Sequence, residues 1–326
     1  MLHILFIGGT GIISSACSQL AVNRGMKVYN LTRGLSSSVR TITGVTNIEA
    51  DIRNPELVQK ALGDMSFDVV VDFISFVPEH IEQNIELFKN KTKQFIFISS
   101  ASIYQTPPQT LPVTEETPRE NPFWEYSRNK IACEDILCDM HAAENFPATI
   151  VRPSHTYDKT LLPLEGGYTV LHRILHDQPV VIHGDGTSIW PLTHHTDFAK
   201  GIVGLFGRKE AIGEAFHITS DEWLTWNGIY EILGAAFHKT PHIVHVPSDV
   251  IAQHHKDMGD SLLGDKTHSM IFDNSKIKAL VPDFECTTPF SEGAQEIAEW
   301  YTNHPDFAKV DPELNAVFDS LIKKYS

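Results

Sequence analysis

The chain has 326 residues, of which 42% are hydrophobic and 21% charged, a composition typical of a folded globular protein that excludes wholesale disorder. Its 41 Asp and Glu residues outnumber 26 Lys and Arg, which gives a formal net charge of −15. A negative overall field repels nucleic acid and anionic membranes, so any phosphate-bearing ligand has to be held locally.

The first residues read as a strand rather than a targeting segment. Leu2 to Ile7 is apolar, with no basic region ahead of it and no small-residue cleavage site behind it. No apolar run in the sequence approaches the ~18 residues needed to span a bilayer. We therefore expect a cytoplasmic protein without a membrane partner. The adjacent histidines at 194–195 and 254–255 lack an HExxH motif or a carboxylate triad, so no metal site is predicted.

Strand and helix signals alternate through the first half of the chain. This alternation predicts an α/β fold, a doubly wound parallel sheet with helices on both faces. The predicted strands are residues 2–7, 26–32, 45–50, 68–74, 94–98 and 148–152, and the predicted helices are about 11–24, 55–62, 79–90 and 124–145.

A glycine-rich turn joins the first strand to the first helix. Gly8 permits a tight turn, Gly11 lets the backbone approach a pyrophosphate, and the helix N-terminus offers N–H groups and a positive dipole end. Ser14 takes the third glycine position and is still small enough for close helix–strand packing. This context is the one that a dinucleotide-binding fingerprint requires, and the alternative is a tight turn without a ligand.

The end of the second strand bears on the choice of coenzyme. It carries Thr32 and Arg33 and lacks the acidic residue that would bind an adenosine 2′-hydroxyl. Arg33, with Arg40 or the serines at 36–38, is a candidate for binding a 2′-phosphate. The sequence thus favours NADP(H) over NAD(H), and the alternative is that Arg33 is a solvated loop cation.

Two residues of the helix at 124–145 form a chemically useful pair. Tyr126 and Lys130 are four positions apart, so their side chains lie on one face of the helix. A close ammonium group favours the phenolate and is expected to lower the pKa of Tyr126 towards the working range of a base. Together with Ser100 and the glycine turn, this pair predicts hydride transfer with a nicotinamide coenzyme.

Beyond Pro153 the sequence changes to shorter, mixed segments punctuated by proline and glycine, which suits a smaller lobe. Residues 198–205 read as a helix and 215–218 as a strand that is a candidate to return to the sheet. We expect a Rossmann-type dinucleotide-binding domain over residues 1–160 with returning segments at about 195–240, and a C-terminal substrate-binding lobe made of residues 161–194 and 241–326.

Several ordered motifs together resemble a known family, the extended short-chain dehydrogenase/reductases of the NAD-dependent epimerase/dehydratase branch. The resemblance covers about the first 200 residues. Its motifs are the turn at 8–11, Asp51-Ile52-Arg53, the strand Val69 to Phe73, the serines of 99–104, Tyr126 to Lys130, Arg152-Pro153, and Gly184-Asp185-Gly186 leading to His195-Thr196-Asp197.

The resemblance implies a role for each matching residue. Ser100 would hydrogen-bond the reacting oxygen, Tyr126 would act as acid and base, and Lys130 would hold the nicotinamide ribose and tune Tyr126. Asp51 and Ile52 would flank adenine. The remaining cofactor-binding residues that it implies are Gly8, Thr10, Gly11, Ile12, Ile13, Thr32, Arg33, Phe73, Ser99, Pro153 and His155.

The substrate residues are less clearly indicated. Ser102, Tyr157, Trp190 and His194 are the candidates, with His155, His172 and His195 as further lining residues, although aromatic and histidine side chains at a lobe boundary are as often packing residues. Nucleotide-sugar enzymes of this branch usually carry at the position of Trp190 an arginine that clamps the pyrophosphate. An indole cannot replace that bidentate cation.

These features predict an NAD(P)-dependent epimerase/dehydratase-type oxidoreductase acting on a sugar or nucleotide sugar. A stand-alone NADPH-dependent carbonyl reductase uses the same Ser100, Tyr126 and Lys130 and stays open as an alternative. A non-catalytic NADP-sensing or RNA-associated relative is the alternative of another class. The intact set of Ser100, Tyr126 and Lys130 argues for catalysis, and the charge of −15 argues against RNA. The resemblance also suggests a homodimer through the helices at 79–90 and 124–145.

Overall fold

The computed structural model describes residues 1–34, 40 and 42–326. Its strands in chain order are β1 (His3–Ile7), β2 (Lys27–Thr32), β3 (Val45–Glu49), β4 (Val69–Asp72), β5 (Phe95–Ile98), β6 (Ala148–Pro153), β7 (His155–Tyr157), β8 (Pro179–His183), β9 (Ile189–Trp190), β10 (Leu192–His194), β11 (Ala215–Ile218), β12 (Leu224–Thr225) and β13 (His242–Val246). Its α-helices are α1 (Ile12–Asn23), α2 (Pro55–Leu62), α3 (Pro78–Phe88), α4 (Glu125–Glu144), α5 (Gly167–Leu175), α6 (His195–Gly204), α7 (Trp226–Ala236), α8 (Ser248–His254), α9 (Lys256–Ser261), α10 (Ser275–Leu280), α11 (Phe290–Asn303) and α12 (Pro312–Tyr325).

Seven parallel strands form the central sheet in the order β11-β6-β5-β4-β1-β2-β3. The order reverses between β1 and β4, which leaves a crevice at the carboxyl ends of these two strands, where ligands bind in open α/β sheets. The predicted doubly wound parallel sheet is therefore confirmed. The strand at residues 215–218 does return to it, as the outer neighbour of β6.

Both faces of the sheet are buried, as the apolar runs predict. Along β1, Ile4 and Phe6 pack in the core on one face, and Leu5 and Ile7 pack in the core on the other. All four are fully buried. Because side chains alternate across a strand, a run without polar residues has to be covered by helices on both sides.

Local signals in the sequence set the ends of helix α2. The side chain of Asn54 caps its N-terminus by accepting a hydrogen bond from the Leu57 N–H at 3.2 Å. Pro55 occupies the first turn, where its missing N–H is not needed, and Gly63 follows the last residue. A helix of eight residues is only marginally stable alone, so these signals and the buried Val58 fix its position.

A third core cluster fills the second lobe. It contains the large buried side chains of Tyr157, Trp190, Trp226 and Phe290 and lies beside the parallel pair β8 and β13. Two helices pack in a different lobe from the one expected for them. Helix α7, expected among the returning segments, packs in this cluster, while Ile277 of α10, expected in the lobe, packs on the central sheet. Within the described residues, no helix has both the length and the apolar character required to cross a bilayer.

Candidate active site

A cleft of about 490 Å³ opens at the carboxyl ends of β1 and β2. It is lined by seven of the predicted cofactor-binding residues, which are Gly8, Thr10, Gly11, Thr32, Arg33, Asp51 and Ile52. The other lining residues are Leu31, Ala50, Arg53, Ile74 and Phe76. The topological switch point of the sheet and the predicted dinucleotide residues therefore meet in one place.

The glycine turn is held in shape by its neighbours. Gly8 has a φ of +80°, and a Cβ there would lie 2.6 Å from Cγ2 of Ile74. The hydroxyl of Ser14 donates to the Gly8 carbonyl at 2.7 Å and accepts from the Gly11 N–H at 2.8 Å. Ser14 thus closes the turn with two hydrogen bonds that a glycine side chain cannot make.

The cleft fits a dinucleotide. At Gly8 and Gly11 the cleft is lined by backbone alone, because glycine has no side chain. Ile12 and Ile13 follow and form the first turn of α1. That turn carries no acidic side chain, so the positive end of the helix dipole faces the cleft uncompensated. An anion such as a pyrophosphate is stabilised by this arrangement.

The cations proposed for a 2′-phosphate are separated. Arg33 lines the cleft, next to Thr32. Arg40 does not, because its guanidinium forms an ion pair with Asp158 at 2.9 Å and also donates to the hydroxyl of Thr160. The expectation that Arg40 assists Arg33 is therefore wrong, since a long-range ion pair holds it elsewhere. The serines at 36–38 lie outside the described residues.

Ser100 lies near Tyr126 at the carboxyl end of β5, close enough for its hydroxyl to lower the pKa of the phenol. Ser100 follows this strand, and its hydroxyl is 2.9 Å from that of Ser102, which is in turn 2.7 Å from that of Ser127. Ser102, predicted to contact substrate, is buried and serves in this hydroxyl chain. These hydroxyl contacts fix the position of Ser100 relative to helix α4, which carries Ser127.

The expected low pKa of Tyr126 is wrong for the chain itself. Burial raises the pKa of the phenol to about 12, and the hydrogen bond with Ser100 offsets only part of this rise. Among the charged residues, Asp265 raises the pKa and Lys266 lowers it. Spacing along one helix correctly placed Lys130 beside Tyr126, but it could not reveal how deeply the phenol is buried or which lobe residues surround it.

Lys130 is buried and anchored by backbone. Its ammonium donates to the carbonyl oxygens of Ser75 and Ile98, both at 2.7 Å, and lies 5.7 Å from the ring centre of Tyr126. It also lies 4.9 Å from the ring centre of Phe76, which lines the dinucleotide cleft. Burial lowers the pKa of Lys130 to about 8. Lys130 therefore lies next to both Tyr126 and a side chain of the cleft.

Asp72 shapes the loop that receives Lys130. It is fully buried at the end of β4 and accepts hydrogen bonds from the N–H groups of Ile74 and Ser75 at 2.9 and 3.0 Å and from the side chain of Asn84 at 2.7 Å. These bonds turn the Ser75 carbonyl towards Lys130. The sequence signal for this role is a carboxylate that directly ends an apolar strand.

Three other predicted cofactor residues lie where central strands end, and a fourth, His155, lies in β7. Phe73 stacks on Phe6 at 5.8 Å and belongs to the sheet core rather than to the cleft lining. Ser99 and Pro153 are buried where β5 and β6 end. His155 lies in β7, where burial and the nearby Lys266 ammonium lower its pKa to about 4, so its imidazole is neutral.

The other predicted substrate residues pack inside the second lobe. Tyr157 and Trp190 are 0% and 1% exposed, and neither the phenol oxygen nor the indole nitrogen has a hydrogen-bond partner among the described residues. His194 is 4% exposed and is 2.7 Å from the Thr196 hydroxyl. Of the further candidates, His172 stacks on His176, the residue that follows α5. His195 begins α6 and lines a separate cavity together with residues of α1.

A charged cluster that the sequence did not indicate lies near Tyr126. Lys266 forms ion pairs with Glu165 at 3.1 Å and Asp265 at 3.2 Å, and its ammonium is 5.6 Å from the ring centre of Trp124. The ring of Trp124 is 4.8 Å from that of Tyr126. Acidic and basic residues scattered between predicted segments read as surface residues, so no signal in the sequence would have identified this cluster.

A family model for the NAD dependent epimerase/dehydratase family matches residues 4–219. This chain belongs to that family, whose members in the short-chain dehydrogenase/reductase superfamily are oxidoreductases and epimerases. The matched range contains the whole central sheet, the glycine turn and the Ser100, Tyr126 and Lys130 constellation.

Among its relatives, the chain is similar to the chloroplast stem-loop binding protein of 41 kDa b of Arabidopsis thaliana, with 26% identity over 259 residues, which are 74% of this chain but 65% of that protein. It is 23% identical over 288 residues to 2′-dehydrokanamycin reductase of Streptomyces kanamyceticus, covering 87% of this chain and 80% of the relative. Identity to UDP-glucose 4-epimerase of Bifidobacterium longum is 27% over 256 residues, covering 65% and 75%.

The fold is that of solved epimerases. UDP-glucuronic acid 4-epimerase from Bacillus cereus, in complex with UDP-glucuronic acid and NAD, superposes with a TM-score of 0.73 at 22% identity, over 93% of this chain and 99% of that one. At this identity the likeness establishes the fold alone. NAD is thus bound by a protein with the same sheet and crevice.

Proposed function

We propose that the protein is an NAD(P)-dependent oxidoreductase of the epimerase/dehydratase type, acting on a hydroxyl or keto group of a sugar or nucleotide sugar. The observation that carries this proposal is the position of the Lys130 ammonium, 5.7 Å from the ring centre of Tyr126 and beside Phe76 of a cleft that fits a dinucleotide, with Ser100 near the same phenol. The UDP-glucose 4-epimerase and the 2′-dehydrokanamycin reductase among its relatives support a sugar substrate.

Each residue has a distinct task in this chemistry. A nicotinamide coenzyme, when bound, takes up or supplies the hydride. Ser100 holds the reacting oxygen by a hydrogen bond, and Tyr126 exchanges a proton with that oxygen as the carbon gains or loses hydride. Lys130, fixed by the carbonyls of Ser75 and Ile98, places its positive charge beside the phenol ring. Correct positioning of the reacting groups supplies a large share of the acceleration.

A carbonyl reductase is the second candidate, and the proton state of Tyr126 favours it. With a pKa raised to about 12, the phenol keeps its proton at neutral pH and is ready to donate it to a ketone oxygen. Trp190, where nucleotide-sugar enzymes of the branch carry the clamping arginine, is buried in the lobe core. Coenzyme that stays oxidation-neutral over many turnovers indicates an epimerase, and stoichiometric consumption of NADPH indicates a reductase.

Tyr126→Phe tests the assignment of proton transfer. We expect turnover to fall by about a hundredfold or more, because the general acid is removed, while coenzyme affinity is retained. Tyr325→Phe, which removes the same hydroxyl at the end of α12, is the control and should leave turnover unchanged. UDP-glucose, dTDP-glucose and simple keto sugars are the substrates to compare. Full turnover by Tyr126→Phe would refute the proposal.

A non-catalytic role in binding RNA is the third candidate, because the chain is similar to a stem-loop binding protein. The net charge of −15 opposes such a role, because phosphate contacts need clustered cations. Electrophoresis with a stem-loop RNA at physiological salt separates the two classes. Retention of the RNA by the Tyr126→Phe protein would favour the RNA-associated role.

A further inference from the structure

An aromatic side chain lies half-exposed inside the dinucleotide cleft. Phe76 is 46% exposed and lines this cleft together with the residues of the glycine turn. A single exposed ring on an open surface needs no explanation. A ring that lines a cavity is different, because a ligand that fills the cavity removes the ring from water and gains affinity by doing so.

The backbone around Phe76 is fixed by contacts within the protein. The Phe76 N–H donates a hydrogen bond to Nδ1 of His80 at 3.2 Å. The N–H of the preceding residue, Ser75, donates to the buried carboxylate of Asp72 at 3.0 Å. Because the loop is ordered in advance, little conformational entropy is lost when a ligand packs against the Phe76 ring.

The Phe76 ring also contacts Lys130. The Lys130 ammonium lies over this ring, 4.9 Å from its centre, and over the buried ring of Phe97, 4.7 Å from that centre. A cation held over aromatic rings and away from water is attracted to them. The same ammonium is 5.7 Å from the ring centre of Tyr126. Lys130 thus holds the exposed ring on the side of the cleft where the reacting phenol lies.

The order of the strands gives the direction in which a dinucleotide runs along the cleft. In the sheet, β5, β4, β1 and β2 are successive neighbours. Arg33 follows β2 and Gly8 follows β1, whereas Phe76 lies beyond β4 and Ser100 beyond β5. A pyrophosphate held at the glycine turn therefore has Arg33 on one side and Phe76 on the other. Hydride has to move near Ser100 and Tyr126, so the nicotinamide half of the coenzyme extends towards Phe76.

We propose that Phe76 is a coenzyme-binding residue whose ring packs against the nicotinamide–ribose half of the dinucleotide, beside Lys130. This inference rests on the proposed function and adds to the coenzyme site a residue that the resemblance to the family does not imply. The contact is apolar binding alone, and no covalent bond changes. Phe76 consequently stabilises a whole dinucleotide and contributes nothing to the binding of its adenosine half.

The test compares NADPH with 2′,5′-ADP, which contains the adenosine half alone, as ligands of the wild-type protein and of Phe76→Ala by calorimetry. NADH and ADP form the second pair. We expect Phe76→Ala to weaken the binding of the dinucleotides by about tenfold, because apolar area that they cover is lost, and to leave the binding of 2′,5′-ADP and ADP unchanged. Phe76→Leu keeps much of this apolar area and should restore most of the affinity.

Phe123→Ala is the matched control. It removes a ring that is 40% exposed, ahead of α4 and outside the cleft lining, so it should alter none of these affinities. A second measurement leaves the ring in place. With 4-fluorophenylalanine at the position of Phe76, the fluorine NMR resonance should shift when NADPH is added and stay unchanged when 2′,5′-ADP is added.

The results separate this inference from the proposed function. Equal weakening of NADPH and 2′,5′-ADP in Phe76→Ala, unaltered NADPH binding in that variant, or a fluorine resonance that does not respond to NADPH would each overturn the role of Phe76. The fluorine measurement decides the matter even where Phe76→Ala does not fold. A wild-type protein that binds neither dinucleotide loses the proposed function as well, whereas one that binds them without these differences loses only this inference.

Discussion

The ammonium of Lys130 lies 5.7 Å from the ring centre of Tyr126, yet its hydrogen bonds go to the carbonyls of Ser75 and Ile98. Lys130 is thus held by the backbone of two central loops rather than by the phenol. Because it is 1% exposed, it carries a burial cost that the folded protein retains at neutral pH. The fold thus holds the Lys130 ammonium beside the Tyr126 ring, and the burial of this charge lowers the free energy of unfolding.

This cost predicts a pH dependence of folding. The pKa of Lys130 is about 8 in the folded protein, below its ordinary value of 10.5, so between these pH values the unfolded chain binds the proton that the folded chain has released. Raising the pH through that window therefore stabilises the fold, by roughly 3 kcal/mol in total for this group. Urea unfolding of the wild-type protein and Lys130→Met at pH 8 and pH 10.5 measures the difference. Equal pH slopes for the two proteins would contradict the assignment.

Coenzyme choice is expected to depend on Arg33. This side chain lines the dinucleotide cleft, at the end of β2, where an acidic residue is lacking. Arg33→Ala should weaken NADPH binding by about tenfold and leave NADH binding unchanged, because a charge-assisted hydrogen bond to a 2′-phosphate is lost. Titration of the two reduced coenzymes by fluorescence measures both affinities.

Arg40→Ala is the matched control for that experiment. Arg40 is paired with Asp158 and directed away from the cleft lining, so its removal should change neither affinity. An equal loss of NADPH and NADH binding in Arg33→Ala would show that Arg33 does not distinguish the coenzymes. Selective loss of NADPH binding in Arg40→Ala would show that this ion pair rearranges when coenzyme binds.

Local sequence patterns predicted the sheet and brought the glycine-turn residues to one cleft, because both follow from chain-local rules. The bounds of the six predicted strands and four predicted helices of the first half all lie within two residues of the observed ones. Gly8 and Arg33 lie at the carboxyl ends of adjacent parallel strands, so periodicity alone brought them together.

The substrate side of the site could not be predicted in the same way. The side chains of Tyr157 and Trp190 suit either a ligand pocket or a hydrophobic core. Both lie in the core, because β9, which carries Trp190, pairs with β12 and because Phe290 packs on Tyr157. Asp265 and Lys266, far from Tyr126 in the chain, act on its pKa through their charges, an influence that no short-range pattern records. The pKa of Tyr126 was wrongly predicted for the same reason.

The glycine turn provides a matched pair of substitutions. Gly8 and Gly25 have similar positive φ values of +80° and +76°, but a Cβ at Gly8 would collide with Ile74, whereas nothing lies within 4 Å of one at Gly25. Gly25→Ala should cost about 1 kcal/mol of backbone strain and keep coenzyme affinity. Gly8→Ala should cost more and weaken binding of both coenzymes by about tenfold or more, since the loop must move. Unaltered coenzyme binding in Gly8→Ala would remove this turn from the site.

A buried ion pair supports the strand that ends at Pro153. Arg152 donates to both carboxylate oxygens of Glu134, at 2.7 and 3.0 Å, and Glu134 is fully buried. Glu134→Gln should destabilise the protein by roughly 3 to 5 kcal/mol, because it leaves a buried guanidinium without its counter-charge. Asp135→Asn is the control, since that side chain is 53% exposed and its pair with Arg119 should contribute less than about 1 kcal/mol. Urea unfolding measures both, and a similar small loss for the two variants would show that water reaches Arg152 and compensates its charge.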